Sequence, residues 1–322
     1  MPAPKTPQVL QIAAYGEDFL VKVEADYGLA RSVGKDPLEV LTTEQRGDIR
    51  ALLTMGTVGA TDALMAALPN LKLICCFGSG YEKVDVTAAL WRGILVTHSP
   101  GANASSVADM AVTMLLASIR RTIPLDQFVR SGAWTDLKAG RPPTVRGLTG
   151  LKVGIVGLGD IGMRIAKRIA AFETEVGYHN RNRRTDAAYH YEPTLLGLAH
   201  WADALIVACR ADASNRNMIN GEVLAALGAD GHIVNISRGS VIDEPALIAA
   251  LQTGGTAGAG LDVFADEPQV PEALRALPNV ILAPHRAGGT IEAFAAMHGQ
   301  VRANLDAFFR DGSVVDPVPE VQ

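Results

Sequence analysis

The chain has 322 residues, 48% of them hydrophobic, and a formal net charge of −5. That length accommodates about two domains, and the apolar share supports sizeable cores, which excludes a disordered chain. The acidic balance argues against a nucleic-acid surface, no apolar run is long enough to cross a membrane, and Met1-Pro2-Ala3-Pro4-Lys5 has no apolar signal region, so a soluble, cytoplasmic protein is expected.

The first hundred residues alternate short apolar runs with helical patterns, which implies a parallel sheet covered by helices. Val9-Leu10-Gln11-Ile12-Ala13 and Ala51-Leu52-Leu53-Thr54 are predicted strands. A helix around Thr61–Leu68 ends at Pro69-Asn70, and Leu71–Cys76 forms the next strand, leading into a Gly78-Ser79-Gly80 turn. Cys75 and Cys76 lie in that apolar run and read as buried structural thiols. With Cys209 they form neither a CxxC pair nor a His/Cys metal spacing, so no metal is expected and the count suits a reducing compartment. Asp85–Trp91 reads as helix and Gly93–Thr97 as strand. Beyond Pro100-Gly101, Ala104–Arg121 is a long apolar helix, expected to be buried at a domain or subunit boundary and to end before Pro124. Gly132–Gly150, which holds Trp134, reads as a loop or arm.

A second α/β unit begins at Leu151. Its later strands are Thr174–Tyr178, Ala204–Ala208, His232–Ile236, Gly258–Val263 and Val280–Ala283, with helical patterns between them such as Pro245–Gln252. Thr290–Phe309 is helical and is expected to return to the first domain. The chain contains no short-period repeat and reads as two successive α/β folds.

In the second unit the apolar run Leu151–Val156 leads into Gly157-Leu158-Gly159-Asp160-Ile161-Gly162, and Ile161, Ile165, Ile169 and Phe172 then share one helical face. Strand, glycine turn and helix form the context in which this spacing signals dinucleotide binding. The first glycine permits the tight turn, the second lets backbone approach a pyrophosphate, and the third lets helix and strand pack closely. The helix N-terminus adds free N–H groups and a positive dipole end. The following strand runs into His179-Asn180-Arg181-Asn182-Arg183-Arg184. Holding the ribose 2′-OH of NAD needs an Asp or Glu there, and this run has none. Asn180, Arg181 and Arg183 suit a 2′-phosphate through hydrogen bonds and charge, with Arg210 adding to it; the alternative is a solvated basic loop. NADP(H) is therefore the expected cofactor, with NAD(H) left open.

Ligands of open α/β sheets bind beyond the carboxyl ends of the strands. Arg238, Glu267 and His285 each follow such a strand. An Arg fork can hold carboxylate and carbonyl oxygens and stabilise developing charge. A His can pass a proton near neutral pH, and a Glu bonded to it favours the imidazolium and fixes the tautomer. Taken singly, Arg238 also reads as a solvated strand end, Glu267-Pro268 as an exposed turn and His285 as a loop histidine.

These motifs resemble the D-isomer-specific 2-hydroxyacid dehydrogenases over nearly the whole chain: the glycine turn, Asn235-Ile236-Ser237-Arg238-Gly239-Ser240-Val241-Ile242-Asp243, Gly260-Leu261-Asp262-Val263-Phe264 with Glu267-Pro268, Ala283-Pro284-His285, and upstream Gly78-Ser79-Gly80-Tyr81 with Val84-Asp85. The resemblance implies two doubly wound parallel-sheet domains, Rossmann- and flavodoxin-like, with the active site in the cleft between them. Residues 1–100 plus 290–322 would bind substrate, and residues 101–289 the dinucleotide. It further implies that Arg238, Glu267 and His285 are catalytic, that Asp262 meets the nicotinamide end, that Ser79 and Gly80 offer N–H groups to the substrate carboxylate, and that the protein is a homodimer. Met55, Gly56 and Phe77 complete the candidate substrate pocket. The candidate cofactor contacts also take in Val107, Cys209, Ile236, Ser237 and Gly288. The expected reaction is reduction of a small 2-oxo acid, glyoxylate or hydroxypyruvate, to the 2-hydroxy acid. The alternatives are a larger 2-keto acid, phenylpyruvate-like or 2-ketogluconate, and a non-catalytic nucleotide-sensing scaffold. Trp134 is a candidate to close over a partner's site or to anchor the dimer. Arg286, Asp109 and Arg210 depart from the usual pattern, and Arg286 and Arg210 leave substrate and cofactor details open.

Overall fold

The structure, a computed structural model, describes residues 6–135 and 142–321. Met1–Lys5 and residues 136–141 of the expected Gly132–Gly150 loop lie outside the described residues. The chain divides into two units, one running up to Asn103 and resuming at Thr290, the other spanning Ala104–Gly289.

In the first unit β1 (Val9–Gln11), β2 (Leu29–Arg31), β3 (Ala51–Met55), β4 (Leu73–Phe77) and β5 (Leu95–Thr97) form an all-parallel sheet in the order β2-β1-β3-β4-β5. This is the flavodoxin-like order. Side chains alternate between its two faces, so the neighbouring cysteines part company. Cys75 packs with Phe19, Val23, Met297 and Leu305, whereas Cys76 packs with Met65, Leu68 and Val96 on the other side. Burial pushes the Cys75 thiol up to about 12 and Cys76 higher still, which makes both inert packing groups. The C-terminal helix Ile291–Asp311 lays Met297, Val301, Leu305 and Phe308 on the first of these faces, and Val318 N–H then donates to the Val96 carbonyl.

In the second unit β6 (Lys152–Val156), β7 (Glu175–His179), β8 (His190–Tyr191), β9 (Ala204–Val207), β10 (His232–Asn235), β11 (Gly258–Leu261) and β12 (Val280–Leu282) are also all parallel, in the order β8-β7-β6-β9-β10-β11-β12. That is the Rossmann order extended by one strand, and it reverses direction between β6 and β9. Helix Ala104–Ile119 covers one face with Val107, Ala111 and Leu115, beside Ile165 and Ile169 of helix Asp160–Ala170. Leu198, Val223, Leu224 and Leu247 cover the other.

Pro124 does not end the long apolar helix. That helix stops at Ile119, Arg121 turns left-handed (φ 49°), and Pro124 lies in the first turn of a further helix, Thr122–Arg130. A proline is tolerated there because first-turn amides have no intrahelical acceptor. Among the described residues no helix is long and apolar enough to cross a membrane, and no cluster of His, Cys, Asp or Glu is arranged to hold a metal.

Candidate active site

The glycine turn follows β6. Gly157 has φ 98°, and a Cβ on it would lie 2.5 Å from Cys209 Cα. Its bareness lets the turn press against the segment after β9. A Cβ on Gly162 would stand 2.1 Å from the Gly157 carbonyl oxygen and would pry the helix from the turn. Gly159 differs: nothing lies within 4 Å of a Cβ built there. It faces a cavity of about 600 Å³ at the point where the strand order reverses. Helices beginning at Thr61, Asp85, Thr194, Asn220, Asp243 and Thr290 are capped by those side chains. Helix Asp160–Ala170 begins at Gly159 with no side-chain cap. Open space over a glycine and uncapped first-turn amides fit a dinucleotide pyrophosphate.

The basic run after β7 forms another wall. Arg181 lines the cavity with its side chain 84% exposed, 3.9 Å from Asp212. Arg183 does not line it: its guanidinium sits 5.6 Å from the centre of the Tyr191 ring. Asn180 accepts the Leu158 N–H at 2.6 Å, while Arg184 donates to the Leu158 carbonyl at 3.0 Å and ion-pairs with Asp186. Sequence reasoning named Asn180 but not this use of it, and passed over Arg184. Cys209 and Arg210 line the cavity opposite. Val107, Ile236 and Ser237 do not. Val107 is buried among core residues, its helical position facing the sheet, and Ser237 donates its hydroxyl to the Cys209 carbonyl at 2.5 Å.

On the same sheet edge the turns after β10, β11 and β12 meet. A Cβ on Gly239 would lie 1.9 Å from the Phe264 carbonyl, so only glycine lets the Arg238 turn lie on the Phe264–Ala265 backbone. His285 Nδ1 is 2.8 Å from Glu267 Oε2, and the other Glu267 oxygen accepts the Phe264 N–H at 3.1 Å. Burial pushes the Glu267 carboxyl up, but the His285 ring, the Phe264 N–H and the Arg238 charge outweigh it and hold the group below its ordinary range. His285 itself is left-handed (φ 52°), an uncommon conformation outside glycine. Asp262 holds it there: its carbonyl accepts the His285 N–H at 2.8 Å and its carboxylate accepts the Arg286 and Ala287 N–H groups at 2.7 and 2.8 Å. Burial raises the Asp262 carboxyl against those two bonds. Arg286 folds its guanidinium over Gly289, where a Cβ would come within 2.9 Å of it, and Gly288 is half-buried.

The first unit carries its candidates at the carboxyl ends of β3 and β4. A Cβ on Gly56 would stand 2.6 Å from the Gly80 peptide, so these two turns touch. Met55 is half-buried. Phe77 is buried against Tyr15, Phe294 and His298. Ser79 donates to the Ser99 carbonyl and accepts His98 at its own carbonyl, and among the described residues no acceptor is found for the N–H of Ser79 or Gly80. Trp134 is exposed.

Residues 112–287 match the D-isomer specific 2-hydroxyacid dehydrogenase, NAD binding domain. The chain belongs to this dehydrogenase family. The dehydrogenase is 40% identical over 297 residues to a glyoxylate/hydroxypyruvate reductase A of Arabidopsis thaliana, covering 92% of this chain and 94% of that one. It is 43% identical over 270 residues to a 2-ketogluconate reductase of Gluconobacter oxydans, covering 84% and 86%. Its structure is similar, with a TM-score of 0.90, 38% identity and 98% coverage of each chain, to an NADPH-dependent glyoxylate/hydroxypyruvate reductase of Sinorhizobium meliloti solved with NADP and malonate.

Proposed function

We propose that this dehydrogenase reduces a small 2-oxo acid, glyoxylate or hydroxypyruvate, to the 2-hydroxy acid with NADPH. The observation that carries the reading is the His285–Glu267 pair at 2.8 Å, with the Arg238 charge acting on Glu267, on the sheet edge that also bears the glycine turn. NADPH, when bound, supplies a hydride. The residues do the rest. Nδ1 of His285 is engaged by Glu267, which leaves Nε2 to give the carbonyl oxygen its proton. Glu267 keeps the ring oriented and balances its charge while the proton is held. Arg238 holds the carboxylate and carbonyl oxygens and stabilises charge developing on the latter. The N–H groups of Ser79 and Gly80 take the substrate carboxylate, and Met55, Gly56 and Phe77 limit side-chain size. Asp262 fixes the left-handed turn that aims His285.

Arg181, with Arg183 and Arg210 nearby in sequence or space, favours a 2′-phosphate, and the run from Asn180 to Arg184 has no carboxylate to hold a free 2′-OH. The relative named a 2-ketogluconate reductase supports a second reading within the class, a larger 2-oxo acid. We also propose a homodimer: Leu125 and Val129, one turn apart on helix Thr122–Arg130, and Trp134 beyond it are exposed apolar side chains suited to a second copy.

The test is oxidation of NADPH and NADH, followed at the nicotinamide band, against glyoxylate, hydroxypyruvate, pyruvate, phenylpyruvate and 2-ketogluconate. Rapid NADPH oxidation by glyoxylate or hydroxypyruvate supports the first reading, and turnover confined to 2-ketogluconate or phenylpyruvate supports the second. Replacing Arg181 and Arg183 together by alanine raises the KM for NADPH far more than that for NADH; an equal rise in both refutes the cofactor preference.

A further inference from the structure

The run Arg181-Asn182-Arg183-Arg184 concentrates charge beside the nucleotide cavity, yet its three arginines are placed differently. Arg181 extends into solvent, 84% exposed, with Asp212 at 3.9 Å. Arg183 lies over Tyr191. Arg184 lines the cavity too, but three of its five N–H donors are committed: Nε donates to Asp186 at 2.8 Å, Nη2 pairs with the same carboxylate, and Nη1 donates to the Leu158 carbonyl at 3.0 Å. Its backbone is fixed as well, because the buried Tyr178 hydroxyl accepts the Arg184 N–H at 3.0 Å and donates to the Arg184 carbonyl at 3.2 Å. A residue that reads a phosphate presents an open N–H fork. The Nε/Nη2 fork of Arg184 is taken by Asp186, which also balances its charge.

What Arg184 does hold is the Leu158–Gly159 peptide of the glycine turn, through its carbonyl. The Leu158 N–H goes to Asn180 Oδ1 at 2.6 Å and the Leu158 carbonyl goes to Arg184. The Leu158 side chain is fully buried, so its backbone is the part of the turn that side chains from the next loop can grip. We infer that Asn180 and Arg184 are positioning residues that clamp the two peptides flanking Leu158, so that the loop after β7 sets the pyrophosphate turn before any nucleotide arrives. The ribose-phosphate loop and the pyrophosphate turn thereby form one preorganised unit. The inference rests on the nucleotide-binding reading above but makes a different demand: loss of Arg184 weakens NADPH and NADH alike, because both carry the same pyrophosphate.

The experiment uses the full chain with Arg184→Met, Arg184→Lys and Asn180→Ala. Dissociation constants for NADPH and NADH are measured by calorimetric titration, and amide hydrogen exchange at Leu158 and Gly159 is measured without nucleotide. Arg184→Met is expected to weaken both nucleotides by a similar factor, about tenfold, the size of one lost charge-assisted hydrogen bond. Arg184→Lys, which retains a donor, recovers most of the loss for both. Exchange at Leu158 speeds up in Arg184→Met and in Asn180→Ala while the melting temperature of each stays near that of the parent. A loss confined to NADPH makes Arg184 a reader of the 2′-phosphate and overturns the clamp; so does unchanged exchange at Leu158. A parent protein that binds neither nucleotide overturns the proposed function instead, and the exchange arm then still decides whether the turn is clamped.

Discussion

The carboxyl and amino edges of the seven-stranded sheet each hold a histidine whose Nδ1 makes a 2.8 Å contact: His285 with Glu267 at the first, His232 with Ser118 at the second. Each edge also has a cavity, about 600 Å³ beside the glycine turn and about 350 Å³ at the amino edge, where Ser118, Arg121, Arg146 and His232 are among the lining. Residue type and distance are thus the same, and the surroundings are not. His285 faces a carboxylate that the local charges keep ionised. His232 faces a neutral hydroxyl, and burial, helped by the Arg146 charge and opposed by Asp230, pushes it down to about 4. It stays neutral at pH 7, packed as a polar plug at the start of β10. A histidine becomes an acid–base candidate through its partner's charge, not through being near a pocket.

The largest expected effect separates the two edges directly. His285→Ala lowers kcat by about 10²–10⁴-fold, the usual worth of a positioned general acid, while nucleotide binding survives. His232→Ala leaves kcat unchanged. Steady-state kinetics on both variants checks this, and an equal loss from His232→Ala would erase the distinction.

Glycines sharpen the contrast next. Gly157→Ala places a side chain at φ 98° and 2.5 Å from backbone of Cys209. Neither can relax without opening the turn, so a loss of about 3 kcal/mol is expected together with weak nucleotide binding. At the amino edge, a Cβ on Gly258 would meet the Ser118 hydroxyl at 2.7 Å, which can rotate away, and the Asn279 carbonyl oxygen at 3.0 Å, which must give slightly. Gly258→Ala should cost less, about 1–2 kcal/mol, in chemical unfolding. Equal costs would mean that the carboxyl-edge turn is no more constrained than the opposite edge.

The carboxyl edge was the more legible of the two in the sequence, for a physical reason. The glycine turn is written in neighbouring residues, and Arg238, Glu267 and His285 each follow an apolar run read as a strand, whose carboxyl ends lie on one sheet edge. The Leu158 clamp spans 22 and 26 residues and is made to backbone atoms, which no side-chain pattern announces. The family resemblance implies a nicotinamide contact for Asp262; the bonds of its carboxylate to the amides of Arg286 and Ala287 depend on the turn after β12 and were not legible. Strands β2 and β8 were overlooked in the fold because neither Leu29-Ala30-Arg31 nor His190-Tyr191 is a continuous apolar run. Helix Thr122–Arg130 was hidden behind its own proline.

Stability against pH tests the amino edge. An unfolded histidine titrates near 6.5 and His232 in the fold at about 4, so between those values the unfolded chain binds more protons. The His232 contribution is complete above that window and declines as pH falls through it. The loss amounts to about 2 kcal/mol at pH 5 relative to pH 7.5. His232→Asn should flatten this part of the stability curve, measured by urea unfolding at several pH values. An unchanged slope would place the titration elsewhere.

Ser118→Ala gives the smallest and most discriminating result. The hydroxyl is nearly buried and touches the His232 ring, so losing it costs about 1 kcal/mol. The depressed proton affinity of His232, however, arises first from burial and then from the Arg146 charge, not from the hydroxyl. The stability curves of the parent and of Ser118→Ala should therefore run parallel through pH 4–6.5, offset by that amount, with kcat and nucleotide affinity unaltered. If the slope changes instead, the hydroxyl governs the proton, and the amino-edge histidine is tuned by its partner in the way His285 is tuned by Glu267.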